Sequence, residues 1–393
     1  MNNSGSYNGK VNPLGITSAR FAIAAALQKQ AYAARRPRPI PTRLVFAMKP
    51  LRIALAQLAP RLGVLEENLA RHSALLTEAR DAGAGLVVFP ELGLTGYQLQ
   101  DLAAELAMPV DDSRLLGLAA ETGGLSAVVS FVEEADDHRL FISAALLEDG
   151  AIRFVHRKLF LPTYGLFDER RFFAAGDRLR TVESRLGIKL GIAICEDFWH
   201  LSVPETLALD GAQMLINVSS SPGRDLAAIH EVGLGTAVSW RTLMRTYAQL
   251  TTSFVVFCNR VGMDETISFW GGSEVIAPSG EALFTAPLFD EGLYTVDVEL
   301  GDVRRERVGL PLLRDERPEL HLRELRRILA ERTGLDLDEA SEPLHDRPAA
   351  PTAKGWPAAP GADDTARGPK GGPISGPQGG PTRGPTRGQR TRR

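Results

Sequence analysis

GIAICEDFW, residues 191–199, is a short apolar run that ends in a cysteine followed by two carboxylates. The run predicts a buried strand, with Cys195 at the strand's end. A reactive side chain in such a position points into a cleft between neighbouring loops. A lone cysteine after an apolar run is more often a small core residue than a nucleophile. Two further segments, around Glu91 and Lys158, favour the nucleophile.

Strand and helix patterns alternate on both sides of this stretch. LRIALAQL, residues 51–58, predicts a strand, residues 64–82 a helix with Leu65, Leu69 and Leu76 on one face, and residues 86–89 a second strand. This alternation is typical of a layered α/β domain. Further strands are predicted at 125–132, 141–147, 151–156, 188–194, 214–218, 253–259, 274–277, 282–285 and 293–298, and helices around 227–250 and over 317–331.

Charge divides the chain into an acidic body and two basic ends. Residues 1–50 carry a net charge of +8 and residues 346–393 carry +6, so the overall −3 leaves −17 for residues 51–345. An acidic body argues against nucleic acid as the main partner. We predict a poorly patterned extension over 1–47, a folded domain over 48–316, a charged helix within 317–345, and a disordered Gly/Pro/Arg-rich tail over 346–393.

The chain has only two cysteines in 393 residues, Cys195 and Cys258. This is no disulfide framework, and it favours a reducing compartment, which we take to be the cytoplasm. No apolar run approaches the roughly 20 residues of a membrane span, so no membrane partner is expected. Cys258 lies within SFVVFC, residues 253–258, and is predicted to be a core residue.

Three strand-end segments supply three different functional groups. Glu91 lies in PELGLTGY, residues 90–97, Lys158 in HRKLFLPTYG, residues 156–165, and Cys195 in the segment quoted first. A thiol, a carboxylate and an ammonium group make a complete set for acyl transfer. The thiol attacks a carbonyl carbon, the carboxylate takes its proton, and the ammonium group stabilises the oxyanion.

Together these segments resemble the nitrilase, or carbon–nitrogen hydrolase, superfamily over about residues 50–315. The resemblance implies that Glu91 is the general base, Lys158 the oxyanion-binding cation and Cys195 the nucleophile. A second glutamate of the family, which positions the catalytic groups, corresponds to Glu169. The implied fold is a four-layer α-β-β-α sandwich that commonly dimerises through its outer helices. A homodimer or higher homo-oligomer is therefore expected.

The implied reaction proceeds through a thioester. The oxyanion is expected between the Lys158 ammonium group and the backbone N–H of Glu196. Loss of ammonia or an amine leaves an acyl-enzyme on Cys195, which water activated by Glu91 hydrolyses. No metal or organic cofactor is needed, and the seven histidines form no tight cluster in the sequence.

Within the superfamily, ELGLTGY, LPTYGLFDERR and CEDFW most resemble the glutaminase domain of glutamine-dependent NAD synthetases. That resemblance implies that Tyr164, Glu196 and Ser221 help to hold the substrate, and we add Tyr97 and Trp199 from the same motifs. Local roles are the alternative: Glu196 and Asp197 can cap the next helix, and residues 219–221 can form a turn. No synthetase-like sequence follows the predicted domain, so a free-standing amidase is expected in preference to a glutaminase subunit for a separate partner.

Other functions remain open at this point. An N-carbamoyl amine and a nitrile pass through intermediates similar to those of a linear amide. A Cys–His pair, with His200 or His156 as the base, competes with Glu91 on chemistry alone. A catalytically silent interaction scaffold is the alternative outside enzymology, although the presence of Glu91, Lys158 and Cys195 together argues against it.

Overall fold

The computed structural model describes residues 50–223 and 234–334. The predicted N-terminal extension, the Gly/Pro/Arg-rich tail and the first part of the helix around 227–250 lie outside the described residues. Within them, no helix combines the length and the apolar character needed to cross a bilayer.

The strands form two six-stranded sheets and a small hairpin. In chain order, β1 to β14 are Leu51–Gln57, Leu86–Val88, Ser126–Glu134, Leu140–Glu148, Ala151–Arg157, Thr181–Glu183, Lys189–Ile194, Met214–Ser219, Phe254–Asn259, Val261–Asp264, Ile267–Trp270, Glu274–Ile276, Ala282–Thr285 and Gly292–Val298. The first sheet has the order β14-β1-β2-β3-β4-β5 and the second β13-β12-β9-β8-β7-β6, while β10 pairs with β11.

Nine α-helices are described within residues 50–223 and 234–334. In chain order, α1 to α9 are Leu65–Asp81, Leu102–Leu106, Ser113–Ala120, Glu169–Phe172, Ser202–Leu209, Gly235–Thr251, Gly301–Gly309, Leu312–Asp315 and Pro318–Thr333. A 3₁₀ helix, Cys195–Trp199, follows β7 directly.

Alternation along β1 shows how the layers stack. Ile53 and Leu55 belong to the larger core, which also contains Ile192 and Ile194 of the second sheet. Ala54 of β1 belongs instead to the core that α1 covers. Since successive strand residues face opposite sides of a sheet, the first sheet packs against the second on one face and against helices on the other.

Helices α5 and α6 cover the outer face of the second sheet. Leu207 of α5 lies so close to Gly191 of β7 that a Cβ at Gly191 would stand 3.1 Å from the Leu207 Cβ. Trp240 and Met244 of α6 are buried in the same core. The fold is therefore the expected four-layer α-β-β-α sandwich.

Strand direction brings the three functional segments to one edge. β2 is parallel to β3, and β3, β4 and β5 are successively antiparallel, so β5 runs in the direction of β2. Glu91 and Lys158 therefore follow strands that end at the same edge of the first sheet. In the second sheet, β7 and β8 are parallel, and Cys195 and Ser219 mark their carboxyl ends. Carboxyl ends of parallel strands are common places for active sites.

Each strand predicted from the sequence has an observed counterpart, and the charged helix predicted over 317–331 is α9. Three strands were not predicted: β6, β10 and β11. They are three or four residues long. Alternation cannot identify strands this short, and the equally short β2, β12 and β13 were predicted from an apolar run or from the Pro-Ser-Gly turn signal at 278–280.

Candidate active site

The backbone turns sharply at Cys195. This residue has a φ of 44°, in the left-handed region that side chains other than glycine rarely adopt. Two hydrogen bonds hold the turn: the Cys195 N–H donates to Asn217 Oδ1 at 2.8 Å, and the Ile194 N–H donates to Asp197 Oδ2 at 3.0 Å. A strained strand-to-helix turn is a known way to present a nucleophile to a cleft.

Lys158 lies between two carboxylates in the interior. Its Nζ is 2.7 Å from Glu91 Oε1 and 2.7 Å from Glu169 Oε1. The side chains of Lys158 and Glu91 are fully buried, and that of Glu169 is 5% exposed. Burial lowers the pKa of Lys158, but the two carboxylates outweigh it and hold this pKa well above its usual value. The ammonium group is therefore charged at neutral pH.

Glu169 is held by a second donor, the hydroxyl of Tyr97, which lies 2.5 Å from Glu169 Oε1. Burial raises the pKa of Glu169 to about 7, and the Glu91 charge adds to this rise while Lys158 opposes it. Tyr97 had been expected to contact the substrate. The structure places its hydroxyl on Glu169 and its ring edge-to-face with Phe167, with centroids 6.3 Å apart. Its contact with substrate stays a prediction.

Both carboxylate oxygens of Glu91 are occupied. Oε1 accepts from Lys158, and Oε2 accepts the Ser220 N–H at 2.8 Å. The Ser220 hydroxyl donates in addition to the backbone carbonyl of Glu91 at 2.8 Å. This double contact ties the loop after β2 to the loop after β8, across the two sheets.

The Cys195 thiol is buried beside these charges. Burial raises its pKa well above the usual value, the Glu91 charge raises it further, and Lys158 lowers it. The Ser219 hydroxyl, 3.1 Å from Sγ, also lowers it. Cys195 is therefore a neutral thiol at rest and needs a base at the moment of attack.

One oxyanion donor follows from this geometry. The Lys158 ammonium group is a fixed, buried cation beside the nucleophile. The Cys195 N–H already donates to Asn217 and is not available to an oxyanion. The Glu196 N–H, expected from the sequence to be the second donor, stays a prediction.

Asp197 joins the nucleophile turn to the segment that carries Lys158. Its fully buried carboxylate accepts hydrogen bonds from the Leu159 N–H at 2.9 Å, the Phe160 N–H at 3.0 Å and His156 Nε2 at 2.9 Å, in addition to Ile194. Sequence reasoning gave Asp197 only a capping role. The one available signal was an acid two residues after the candidate nucleophile.

A cavity of about 430 Å³ opens at Cys195. Four aromatic side chains and several polar groups form its described lining, which consists of Tyr164, Phe167, Cys195, Glu196, Trp199, Ser221, Pro222, Gly235, Thr236, Ser239 and Trp240. Of the five residues expected to bind substrate, four are in this lining: Tyr164, Glu196, Trp199 and Ser221. Trp240, Ser239 and Thr236 were not foreseen, because nothing in the α6 sequence distinguishes them from core or surface positions.

Glu196 and Tyr164 form a polar wall of this cavity. The Tyr164 hydroxyl donates to the Glu196 carboxylate, with distances of 2.8 and 3.0 Å to its two oxygens. Burial raises the pKa of Glu196, and the Tyr164 hydrogen bond opposes that rise. On the other side, Ser221 Oγ accepts the indole N–H of Trp240 at 2.8 Å.

The two histidines weighed as alternative bases have other contacts. The His200 ring stacks on Phe160 with centroids 3.5 Å apart, and its Nε2 is 3.9 Å from Glu196. His156 is bound to Asp197. In the described part of the chain neither imidazole forms a hydrogen bond with Cys195 Sγ. Cys258 is buried, with its Sγ 3.1 Å from the Val88 carbonyl, as expected for a core residue.

Over residues 50–223 and 234–334, no group of three or more His, Cys, Asp or Glu side chains is placed to hold a metal ion.

A family model described as carbon-nitrogen hydrolase matches residues 52–307. This chain belongs to the carbon–nitrogen hydrolase family. The match contains Glu91, Lys158, Glu169 and Cys195, and it makes the protein an enzyme of that family.

Among curated proteins, this hydrolase is similar to the glutamine-dependent NAD(+) synthetase of Thermotoga maritima. The two are 37% identical over 261 residues, which cover 65% of this chain and 43% of the relative. The corresponding protein of Acinetobacter baylyi is 31% identical, with 66% and 46% covered. The hydrolase thus spans less than half the length of these relatives.

Solved structures of similar fold include a carbon–nitrogen hydrolase from Helicobacter pylori G27, with a TM-score of 0.62 and 25% identity, covering 70% of this chain and 98% of that one. Another is a glutamate-to-glutamine variant of an amidase from Nesterenkonia sp. AN1, with a TM-score of 0.59 and 27% identity, covering 70% and 97%. In that amidase the acetamide moiety of fluoroacetamide is added covalently at the active-site cysteine.

Proposed function

We propose that this hydrolase cleaves the C–N bond of a small linear carboxamide, releasing ammonia and a carboxylate through a thioester on Cys195. The observation that carries the proposal is the buried Lys158, bound by Glu91 and Glu169 beside the buried thiol of Cys195. This arrangement offers a nucleophile, a base and a fixed cation in one water-poor site.

The first half of the reaction forms the thioester. Sγ of Cys195 attacks the amide carbon while its proton passes to Glu91, and the Lys158 ammonium group stabilises the carbonyl oxygen as it becomes negative. Glu91 then returns the proton to the amide nitrogen. The C–N bond breaks, ammonia leaves, and the acyl group remains on sulfur.

The second half consumes water. Glu91 takes a proton from a water molecule that attacks the thioester carbon, and Lys158 again stabilises the oxyanion. The C–S bond breaks, the thiol regains its proton from Glu91, and the carboxylic acid is released. Each group serves twice, and no external oxidant or reductant is required.

The cavity favours an acyl group that carries a positive charge. Glu196 presents a carboxylate beside Tyr164 in a half-buried wall, where an ammonium group would complete the hydrogen bonding. Free glutamine has such a group and a terminal carboxamide. The glutamine-dependent enzymes among the relatives support the same substrate, so a glutaminase acting with a separate ammonia acceptor is the second candidate.

Ammonia release from a panel of glutamine, simple aliphatic amides, N-carbamoyl amines and nitriles tests the reaction type. Turnover of amides by the wild type, and none by Cys195→Ala, is expected. Preferential turnover of nitriles or carbamoyl amines would replace the proposal with one of the other reactions, and full activity of Cys195→Ala would overturn the Cys195 mechanism.

A matched pair of substrates tests the cationic subsite. Glutaramate is glutamine without its α-ammonium group. If Glu196 binds that group, Glu196→Gln should lower kcat/KM for glutamine by roughly tenfold or more and leave that for glutaramate nearly unchanged. An equal loss for both substrates would show that Glu196 does not recognise the ammonium group.

The homo-oligomer expected from the resemblance remains a prediction. Helices α5 and α6 expose Leu209 and Leu250, at 38% and 52% of their surface. Light scattering coupled to size exclusion measures the molar mass directly, and a monomer at all accessible concentrations would contradict the expectation.

A further inference from the structure

Three consecutive serines, Ser219 to Ser221, lie at the carboxyl end of β8, at the edge of the second sheet that carries the candidate active site. All three are buried. Ser219 Oγ is 3.1 Å from Cys195 Sγ, Ser220 binds Glu91 through its N–H and hydroxyl, and Ser221 accepts the Trp240 indole at the cavity. Of these three serines, only Ser221 was expected from the sequence to contact the substrate.

β8 holds Cys195 at two points. Asn217 and Ser219 are two residues apart in an extended strand, so their side chains share a face. Asn217 accepts the Cys195 N–H at 2.8 Å, and Ser219 contacts its sulfur. The first contact fixes the backbone of the nucleophile, and the second reaches the reacting atom itself.

We propose that Ser219 is a further catalytic residue, whose hydroxyl donates a hydrogen bond to Cys195 Sγ and stabilises the negative charge that develops on sulfur. The proposal rests on the proposed function, since it assumes that this sulfur is the nucleophile. Ser219 is distinct from the Glu, Lys and Cys set that the family resemblance implied.

The direction of this hydrogen bond follows from the proton transfer. The thiol proton must point towards Glu91 if that carboxylate is to receive it, so sulfur is left to accept from Ser219. A neutral donor on a developing anion gains strength as charge builds. Within the described residues, burial, the Glu91 charge and the Glu169 charge raise the pKa of Cys195, while Lys158 and Ser219 lower it.

The same hydrogen bond assists the second half of the reaction. When the acyl group leaves, the C–S bond breaks and the electron pair returns to sulfur. The Ser219 proton is then already in place to stabilise the leaving thiolate, before the proton from Glu91 arrives. Loss of the hydroxyl should therefore slow chemistry and leave substrate binding almost unchanged.

Alkylation by iodoacetamide tests the proposal without any substrate. Ser219→Ala should slow alkylation of Cys195 about threefold, because its thiolate becomes scarcer although each thiolate becomes more nucleophilic. For an amide that the wild type turns over, kcat should fall roughly tenfold with KM within a factor of two. The alkylation result stands even if no substrate is found, so it separates this inference from the proposed function.

Controls separate the hydroxyl from packing. Ser219→Thr keeps the hydroxyl, and Ser219→Val has almost the same shape as Ser219→Thr but lacks the hydroxyl. Cys195 should therefore be alkylated faster in the Thr variant than in the Val variant. This pair carries the test if Ser219→Ala does not fold. Ser253→Ala removes another buried hydroxyl, which contacts the Ala212 carbonyl at the opposite end of the same sheet, and should leave alkylation unchanged.

Two results would overturn the proposal. One is an alkylation rate of Cys195 in Ser219→Ala equal to that of the wild type. The other is equal rates for the Thr and Val variants, which would mean that only the shape of residue 219 matters.

Discussion

Lys158 and Glu91 form a fully buried ion pair, with Nζ and Oε1 2.7 Å apart, at one edge of the first sheet, where they follow β5 and β2. Cys195 belongs to the second sheet. The base and the cation therefore come from one layer and the nucleophile from the other, so the site exists only when the two sheets pack together. Removing one partner of a buried pair leaves the other charge uncompensated, which makes this pair a test of structure as well as of chemistry.

Lys158→Met should destabilise the protein. Methionine fills similar space but leaves Glu91 and Glu169 without their shared cation, and a broken buried pair costs about 3–5 kcal/mol. Urea unfolding at neutral pH measures the loss. Lys189→Met, at a partly exposed lysine whose Nζ is 3.8 Å from Glu183, is the control and should change stability little. A Lys158→Met protein as stable as the wild type would show that the carboxylates are already neutral.

Glu91→Gln tests the identity of the base. The amide keeps the size of the side chain but cannot take the thiol proton, so kcat/KM for an amide should fall on the order of a thousandfold. His200→Ala should have a mild effect, because His200 stacks on Phe160 and does not contact Sγ. Steady-state kinetics decide between them: a nearly active Glu91→Gln enzyme together with an inactive His200→Ala enzyme would establish histidine as the base.

The resting state of Cys195 gives a spectroscopic prediction. Burial and the Glu91 charge raise its pKa, so the folded free enzyme should hold a neutral thiol at pH 7. The ultraviolet difference spectrum between the wild type and Cys195→Ala should then lack thiolate absorbance at that pH. A clear thiolate band at neutral pH would instead indicate a preformed ion pair with a cation.

The two cysteines should differ in reactivity. Cys195 lines the open cavity, whereas Cys258 lies between the sheets against the Val88 carbonyl. Burial raises the pKa of Cys258 far above its usual value. Peptide mass spectrometry after brief iodoacetamide treatment should find Cys195 labelled and Cys258 intact in the folded protein. Labelling of both at equal rates would contradict the assignment of Cys258 to the core.

Local sequence patterns predicted eleven of the fourteen described strands and placed Glu91, Lys158 and Cys195 at strand ends, because a polar residue that stops an apolar run is visible in the sequence. The stacking of the two sheets came only from the family resemblance, since periodicity does not say which sheet faces which. Ser219 was not singled out for a different reason. A serine that ends a strand has many ordinary roles, and only the packing of β8 beside β7 brings its hydroxyl to sulfur.

The sequence also did not predict the contacts that the β10–β11 hairpin makes with the residues around it. Arg260 and Asp264 form a fully buried pair at 2.6 Å, and Asp264 accepts the Tyr97 N–H at 2.8 Å. Tyr97 in turn binds Glu169. Two opposite charges four residues apart usually indicate an exposed helix face, so no pattern pointed to a support for the active site.

Glu169→Gln should change the pH dependence of stability. The pKa of Glu169 is raised in the folded state to about 7 from 4.5, chiefly by burial. The folded protein therefore binds a proton that the unfolded chain has lost. This contribution to stability is fully present below about pH 4.5 and is lost as the pH rises through about 7.

Glutamine does not titrate, so the difference in the free energy of unfolding between the wild type and Glu169→Gln isolates this proton. Whatever this difference is at low pH, raising the pH from 4.5 to 7.5 should lower the free energy of unfolding of the wild type, relative to that of Glu169→Gln, by up to about 3 kcal/mol. Urea titrations of both proteins across this range measure it. A difference that stays constant with pH would mean that Glu169 remains ionised in the fold, with Lys158 and Tyr97 outweighing its burial.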